Sequence, residues 1–139
     1  MMSPQVQAFF DPHTNTISYI VSDPETRAAA IIDPVLDFTA RNARTSTASA
    51  DKLLEVIEEA GLELRYILET HAHADHLSAA HYIHERTDAP VVIGKDIAKV
   101  QKIFAPLFEA EDVTPDGSAF DRLVEDGDDL PLGALSIFV

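Results

Sequence analysis

Cysteine is absent from the 139 residues, and with it go disulfides, thiolate-ligated zinc, iron-sulfur clusters and any cysteine nucleophile within the chain. A metal bound here would sit on nitrogen and oxygen. Basic residues are scarce: 10 Lys and Arg face 24 Asp and Glu, a formal charge of -14. Nucleic-acid backbones and anionic lipid surfaces are held by clustered Lys and Arg, so neither nucleic acid nor membrane is the expected partner. No apolar run approaches the roughly 18 residues of a membrane span. The N-terminus MMSPQVQAFF also lacks the basic region and long apolar run of a signal peptide, so a cytoplasmic protein is expected. With 46% hydrophobic residues, the composition suits one ordinary domain over residues 1–139.

More than half of the charge is local, because Glu109 to Asp129 holds nine acids against Arg122 alone. Such a run reads as a solvated surface loop. A calcium site is the sharper alternative, but Asp126-Gly127-Asp128-Asp129 lacks the ordered ligand spacing of an EF-hand loop.

What the chain does contain is read first from its periodicity. Gln5 to Phe10 and Thr16 to Ser22 read as strands joined by a turn-rich cluster, and Ala28 to Ile32 as a small-apolar strand covered on both faces. Asp33-Pro34 ends that strand. Val35 to Ala48 is polar and irregular and predicts a long loop. Ser49 then looks like an N-cap; Leu53, Leu54, Ile57 and Ala60 recur at helical spacing, and Gly61 supplies the stop. Leu64 to Glu69 predicts a buried strand, Leu77 to Arg86 a helix, Pro90 to Ile93 a strand and Asp96 to Phe104 a helix. Such alternation implies parallel strands joined by crossovers. Phe120 to Val124 and Ala134 to Val139 predict two more strands, joined through Gly127 and a Pro131-Leu132-Gly133 turn.

At the end of the Leu64 to Glu69 strand stands Thr70-His71-Ala72-His73-Ala74-Asp75-His76. With six His and fourteen Asp in the chain, His-x-His-x-Asp-His is expected by chance about once in a thousand such chains. The density is that of a metal site. On extended backbone His71 and His73 point to one side and can share an ion, and Asp75 can follow them. His76 falls at the start of the expected helix, whose N-terminus would favour an anionic Asp75. Imidazole and carboxylate suit zinc, iron(II) or manganese. A bound divalent ion lowers the pKa of its water from about 15.7 toward roughly 7, and Asp75 could ligate a second ion, orient that water or serve as general base. His13, His81 and His84 read as surface or packing residues, while Asp33 is either a turn residue or a partner of the metal ligands.

The segment His71 to His76, preceded by Tyr66-Ile67-Leu68-Glu69, resembles the metal motif of the metallo-β-lactamase superfamily, an αββα sandwich of metallohydrolases and oxidoreductases. Ile32-Asp33-Pro34-Val35, THAHADHLSAA and Glu125-Asp126-Gly127-Asp128 are most similar to its persulfide dioxygenase and glyoxalase II branch. In the zinc thioesterases of that branch, the resemblance implies His71 and His73 on a first metal and Asp75 and His76 on a second. In the dioxygenases it implies one iron held at the position of His71, with a later His and a later Asp. No histidine occurs after His84. The expectation is therefore the N-terminal half of the sandwich, truncated at the C-terminus, with an open edge at Leu135 to Val139 through which a homo-oligomer could pair.

The resemblance implies the first two of three candidate functions, and the absence of the later ligands opens the third. The first is oxidation of a small glutathione-type persulfide with iron(II) and O₂, and the second is zinc-dependent hydrolysis of a hydroxyacylglutathione-type thioester. The third is an inactive half-domain that binds metal incompletely or pairs with another chain.

Overall fold

The computed structural model describes residues 3–12, 15–39, 44–70, 77–95 and 121–139. Six strands form its main sheet: β1 (Gln5–Asp11), β2 (Thr16–Ser22), β3 (Ala28–Ile32), β6 (Glu63–Leu68), β8 (Val91–Gly94) and β9 (Arg122–Val124), adjacent in that order. The first three are antiparallel neighbours, and β3, β6, β8 and β9 run parallel. The parallel steps are those the alternating helix and strand pattern implies: α1 (Ala48–Glu59) lies between β3 and β6, and α2 (Ala80–Thr87) between β6 and β8.

Both faces of this sheet are buried, and β3 shows why its residues are small. Ala28, Ala29, Ala30 and Ile31 are each at most 1% exposed. One face carries Ile20, Ala29, Ile31 and Ile67 against Ala50, Leu53 and Ile57 of α1 and Ala80 and Ile83 of α2. The apolar stripe of α1 thus packs as its spacing requires. The C-terminal end of α1 meets the guanidinium of Arg27, which donates to Ala60 O at 2.6 Å, where a cation complements the helix dipole. Gly61, at φ +65°, takes the left-handed conformation that stops the helix. Tyr82 of α2 donates its hydroxyl to Asp51 of α1, tying the two helices together at the surface.

The opposite face carries Ala28, Ala30, Tyr66, Leu68, Val92 and Val124 beneath Leu130, Leu132 and Ile137. These last three belong to a hairpin of β10 (Asp129–Leu132) and β11 (Leu135–Phe138). The predicted Pro131-Leu132-Gly133 turn therefore starts two residues too early: Pro131 and Leu132 are strand, and Gly133 makes the turn at φ +62°. A β10 edge tolerates Pro131 because proline is confined to positions that need no N–H in the ladder. The hairpin covers part of the inner face, while Val6, Phe10 and Ile17 of β1 and β2 stay 41–61% exposed.

Two other expectations are corrected. Val35 to Ala48 is not a structureless loop, since it contains β4 (Val35–Thr39) and β5 (Arg44–Ser46), an antiparallel pair. β7 (Leu77–Ser78) joins β4 on its other side, so Leu77 and Ser78 are strand and α2 begins at Ala80. Helical composition yields here to backbone pairing with a distant segment. The N-cap position of α1 is Thr47 rather than Ser49. The predicted helix from Asp96 to Phe104, the acidic residues through Phe120, and His13 lie outside the described residues. Among the described residues no helix is long and apolar enough to cross a membrane.

One carboxylate fastens the hairpin to the sheet. Asp23, 1% exposed in the turn between β2 and β3, accepts Ala134 N–H at 2.8 Å and Thr26 Oγ1–H at 2.7 Å on Oδ2, and Glu25 N–H at 3.0 Å on Oδ1. A methyl group on Gly133 would strike the Thr26 hydroxyl and come within 2.7 Å of Asp23 Oδ2, so only glycine fits this approach. The Ala134 amide first, then the Thr26 hydroxyl and the Glu25 amide, hold the Asp23 carboxyl below its ordinary value of 3.8. A depressed carboxyl stabilises the fold above its unfolded value, and that contribution is lost as pH falls through the folded value. Asp23→Asn is expected to lower the melting temperature at neutral pH and to flatten the acid limb of the stability profile. Circular-dichroism melts from neutral to acid pH test this; an acid limb equal to that of the parent would refute it.

Candidate metal centre

The parallel ladder of β3 and β6 ends at the pair Ile32 and Leu68, and the site is built from the residues that come after each strand. Asp33 keeps its N–H on Leu68 O at 2.8 Å but turns out of the strand with φ +52°. That left-handed conformation costs a non-glycine residue about 1–2 kcal/mol. It aims the Asp33 carboxylate at Thr70: Oδ1 accepts Thr70 N–H at 2.8 Å, and Oδ2 accepts Thr70 Oγ1–H at 2.5 Å. Asp33 is 8% exposed, so these charge-assisted bonds form largely out of water, where each is worth roughly 1.5–3 kcal/mol. The two together outweigh the backbone strain. Glu69, itself buried, donates its N–H to Val92 O at 2.9 Å and extends β6 toward β8.

Thr70 is the residue before His71. At the other end of the motif, Leu77 pairs with Leu36 and Ser78 with Val35, and Ala79 N–H donates to Pro34 O at 3.1 Å. The run Asp33 to Leu36 therefore grips the chain just before and just after residues 71–76. His71, His73, Asp75 and His76 lie outside the described residues. Among the described residues, no three His, Asp or Glu side chains are grouped to hold a metal. What the structure does define is the frame: six residues, four of them nitrogen or oxygen donors, start and end on one clamped segment at the C-terminal ends of parallel strands, where α/β sheets place their ligands. That donor set fits a divalent ion of intermediate hardness. The expected help from a helix N-terminus directly after His76 is corrected, because β7 intervenes before α2.

His81 and His84 keep structural roles. His81 pairs with Glu85 at 2.9 Å with its side chain 83% exposed. His84 Nδ1 lies 2.7 Å from Ala89 O and 3.6 Å from Asp121 Oδ2. The Ala89 carbonyl, aided by the Asp121 charge against the opposing effect of burial, raises the His84 pKa above 6.5. Of the two readings open for Asp33, the turn is observed, and its carboxylate holds Thr70, the residue before His71; contact with the predicted ligands lies outside the described residues. Sequence reasoning misses Ser18, yet its hydroxyl donates to Asp33 O at 2.7 Å. Its only signal is a polar residue in a strand with alternating character.

Comparison with known proteins places this frame. The sequence matches the metallo-beta-lactamase superfamily over residues 12–138. The chain belongs to that superfamily. A protein of Burkholderia pseudomallei named a probable metallo-hydrolase is 50% identical over 95% of this chain and 45% of its own. "Glyoxylase B2" of Dictyostelium discoideum is 42% identical over 97% of this chain and 47% of its own. The crystal structure of ETHE1 from Myxococcus xanthus superposes with a TM-score of 0.70 at 29% identity, over 95% of this chain and 45% of that one. The chain thus spans about half the length of these superfamily members. Its mixed sheet with helices on one face is the corresponding part of the metallo-β-lactamase fold.

The Asp33 clamp generates a direct expectation. Asp33→Asn replaces one carboxylate oxygen with an amide that cannot accept from Thr70, and should cost roughly 1–3 kcal/mol of stability. Urea unfolding measures it, and a loss within error of zero would show that the clamp carries no net stability.

Proposed function

We propose that this chain is the metal-presenting part of a metal-dependent enzyme that oxidises a small thiol-derived persulfide of the glutathione type, using iron(II) and O₂. The observation that carries the reading is the superposition on ETHE1 at a TM-score of 0.70 over nearly the whole chain, ETHE1 being a name given to a persulfide dioxygenase. In this reading His71 is the iron ligand that these residues supply. His73, Asp75 and His76 belong to the same motif, and the later His of this reading has no counterpart within residues 1–139, because no histidine occurs after His84. Bound there, the metal supplies the redox chemistry that protein side chains lack. The chain's own contribution is to hold the loop: Asp33 fixes Thr70, and Val35 and Leu36 fix Leu77 and Ser78.

A second reading is favoured by the 50% identity to the metallo-hydrolase of Burkholderia pseudomallei. In it His71 and His73 hold one zinc and Asp75 and His76 another, and the substrate is a thioester of a small thiol. Ions held there would supply a more acidic water, which Asp75 would position or deprotonate.

Metal analysis of the purified protein together with two assays separates these readings. One iron per chain and O₂ consumption on a glutathione-type persulfide is the expected result, whereas two zinc ions and thioester cleavage would replace it with the second. His71→Ala is expected to lower turnover by at least about a hundredfold, since changes beyond the ligands alone already cost 10–100-fold. Its circular-dichroism spectrum should match that of the parent; unfolding instead would assign the metal a structural role. Turnover that survives complete metal removal would overturn both readings.

A further inference from the structure

We infer that Ser18, a residue of β2 far from the metal motif in sequence, is a positioning residue for that motif; the inference rests on the metal-binding reading above. The backbone ladder between β2 and β3 ends at the pair Tyr19 and Ile32. One step further, Ser18 stands opposite Asp33, which turns out of the strand at φ +52°. The Ser18 hydroxyl donates to Asp33 O at 2.7 Å in a place where Ser18 is 5% exposed. The residue after Asp33 is Pro34, which has no N–H to offer, so a side-chain bond helps to hold this turn against β2.

Asp33 is thereby held from both sides. Its N–H is on Leu68 O of β6 and its carbonyl is on Ser18 of β2, and between them the peptide planes fix the direction of the carboxylate. That direction is what places Oδ1 and Oδ2 on the amide and hydroxyl of Thr70. Without the Ser18 hydroxyl, the strained conformation of Asp33 loses this bond to β2, and its hold on Thr70 loosens with it. The role is transmitted through Asp33 and Thr70 to His71, in the manner of outer partners that set the orientation of ligating residues.

The test uses cobalt(II) as probe in the purified protein stripped of metal, with affinity read by titration and ligand geometry by its visible absorption. Ser18→Ala is expected to weaken cobalt binding about tenfold and shift the absorption bands. Hydrogen exchange at the Thr70 amide is expected to accelerate by at least about tenfold, and Ser18→Thr, which keeps the hydroxyl, should restore all three readouts. A general loss of stability would not give selective deprotection of Thr70 with rescue by threonine. Affinity and Thr70 exchange within about twofold of the parent in Ser18→Ala would overturn the proposal. Should Ser18→Ala fail to fold, Ser18→Cys, which keeps the volume and weakens the donor, is judged by the same criteria. If the parent protein takes up no cobalt, the functional reading fails, and Thr70 exchange alone then decides the proposal.

Discussion

The arrangement of this chain depends on the point where β3 stops. A parallel ladder satisfies the backbone only while both strands stay extended, and Asp33 breaks that condition by turning to φ +52°. The break is tolerated because the polar groups of Asp33 have new partners: the amide on Leu68 O, the carbonyl on Ser18, the carboxylate on Thr70. Burial makes those replacements obligatory, since an unpaired carboxylate or carbonyl at 8% exposure would cost more than the strain itself. The same turn sends Val35 and Leu36 along a path where they pair with Ser78 and Leu77. One local departure from β geometry thus fixes the residues on both sides of residues 71–76.

A separate device holds the other face. Asp23 satisfies its carboxylate with the turn that contains it and with Ala134 across the fold, and Gly133 leaves the space for that approach. This contact brings Leu132 and Ile137 over Ala28, Ala30 and Tyr66, where the small side chains of β3 let the hairpin lie close to the sheet. Two buried aspartates, one at each end of β3, therefore do unlike work. Asp23 joins layers, whereas Asp33 shapes a loop.

Much of this is legible in the sequence where the determinants are local. Alternation in Thr16 to Ser22, the unbroken apolar run Ala28 to Ile32 and the helical stripe ending at Gly61 each carry their own signal within a few residues, while the motif His71, His73, Asp75 and His76 is plain in the sequence but lies outside the described residues. β7 carries none, because two residues have no period and Leu77-Ser78 becomes strand only by pairing with Val35 and Leu36, some forty positions earlier. Val35 to Thr39 is hidden for the same reason, its strand character being supplied by partners on both sides. Asp33 is half legible: proline after a strand predicts a turn, but the bond to Thr70 depends on which strands become neighbours. Ser18 looks like any outward polar residue of a strand, and only the register against β3 brings its hydroxyl to Asp33 O.

The clamp is built of protein groups. Its bonds run between Asp33, Ser18, Thr70 and backbone, and none of these groups is itself one of the proposed metal ligands. The donors themselves are equally permissive, because imidazole and carboxylate accept either ion. A frame of this kind presents ligands without selecting the reaction. This agrees with the chain's relatives, which carry the names of a metallo-hydrolase and of ETHE1 while sharing the same half of the fold. The choice between redox and hydrolytic chemistry then falls to the number of ions held and to the ligands that complete their shells. On the first proposed reading His71 alone of the motif would ligate the metal, and on the second all four donors would; the Asp33–Thr70 contact that precedes them is the same on either.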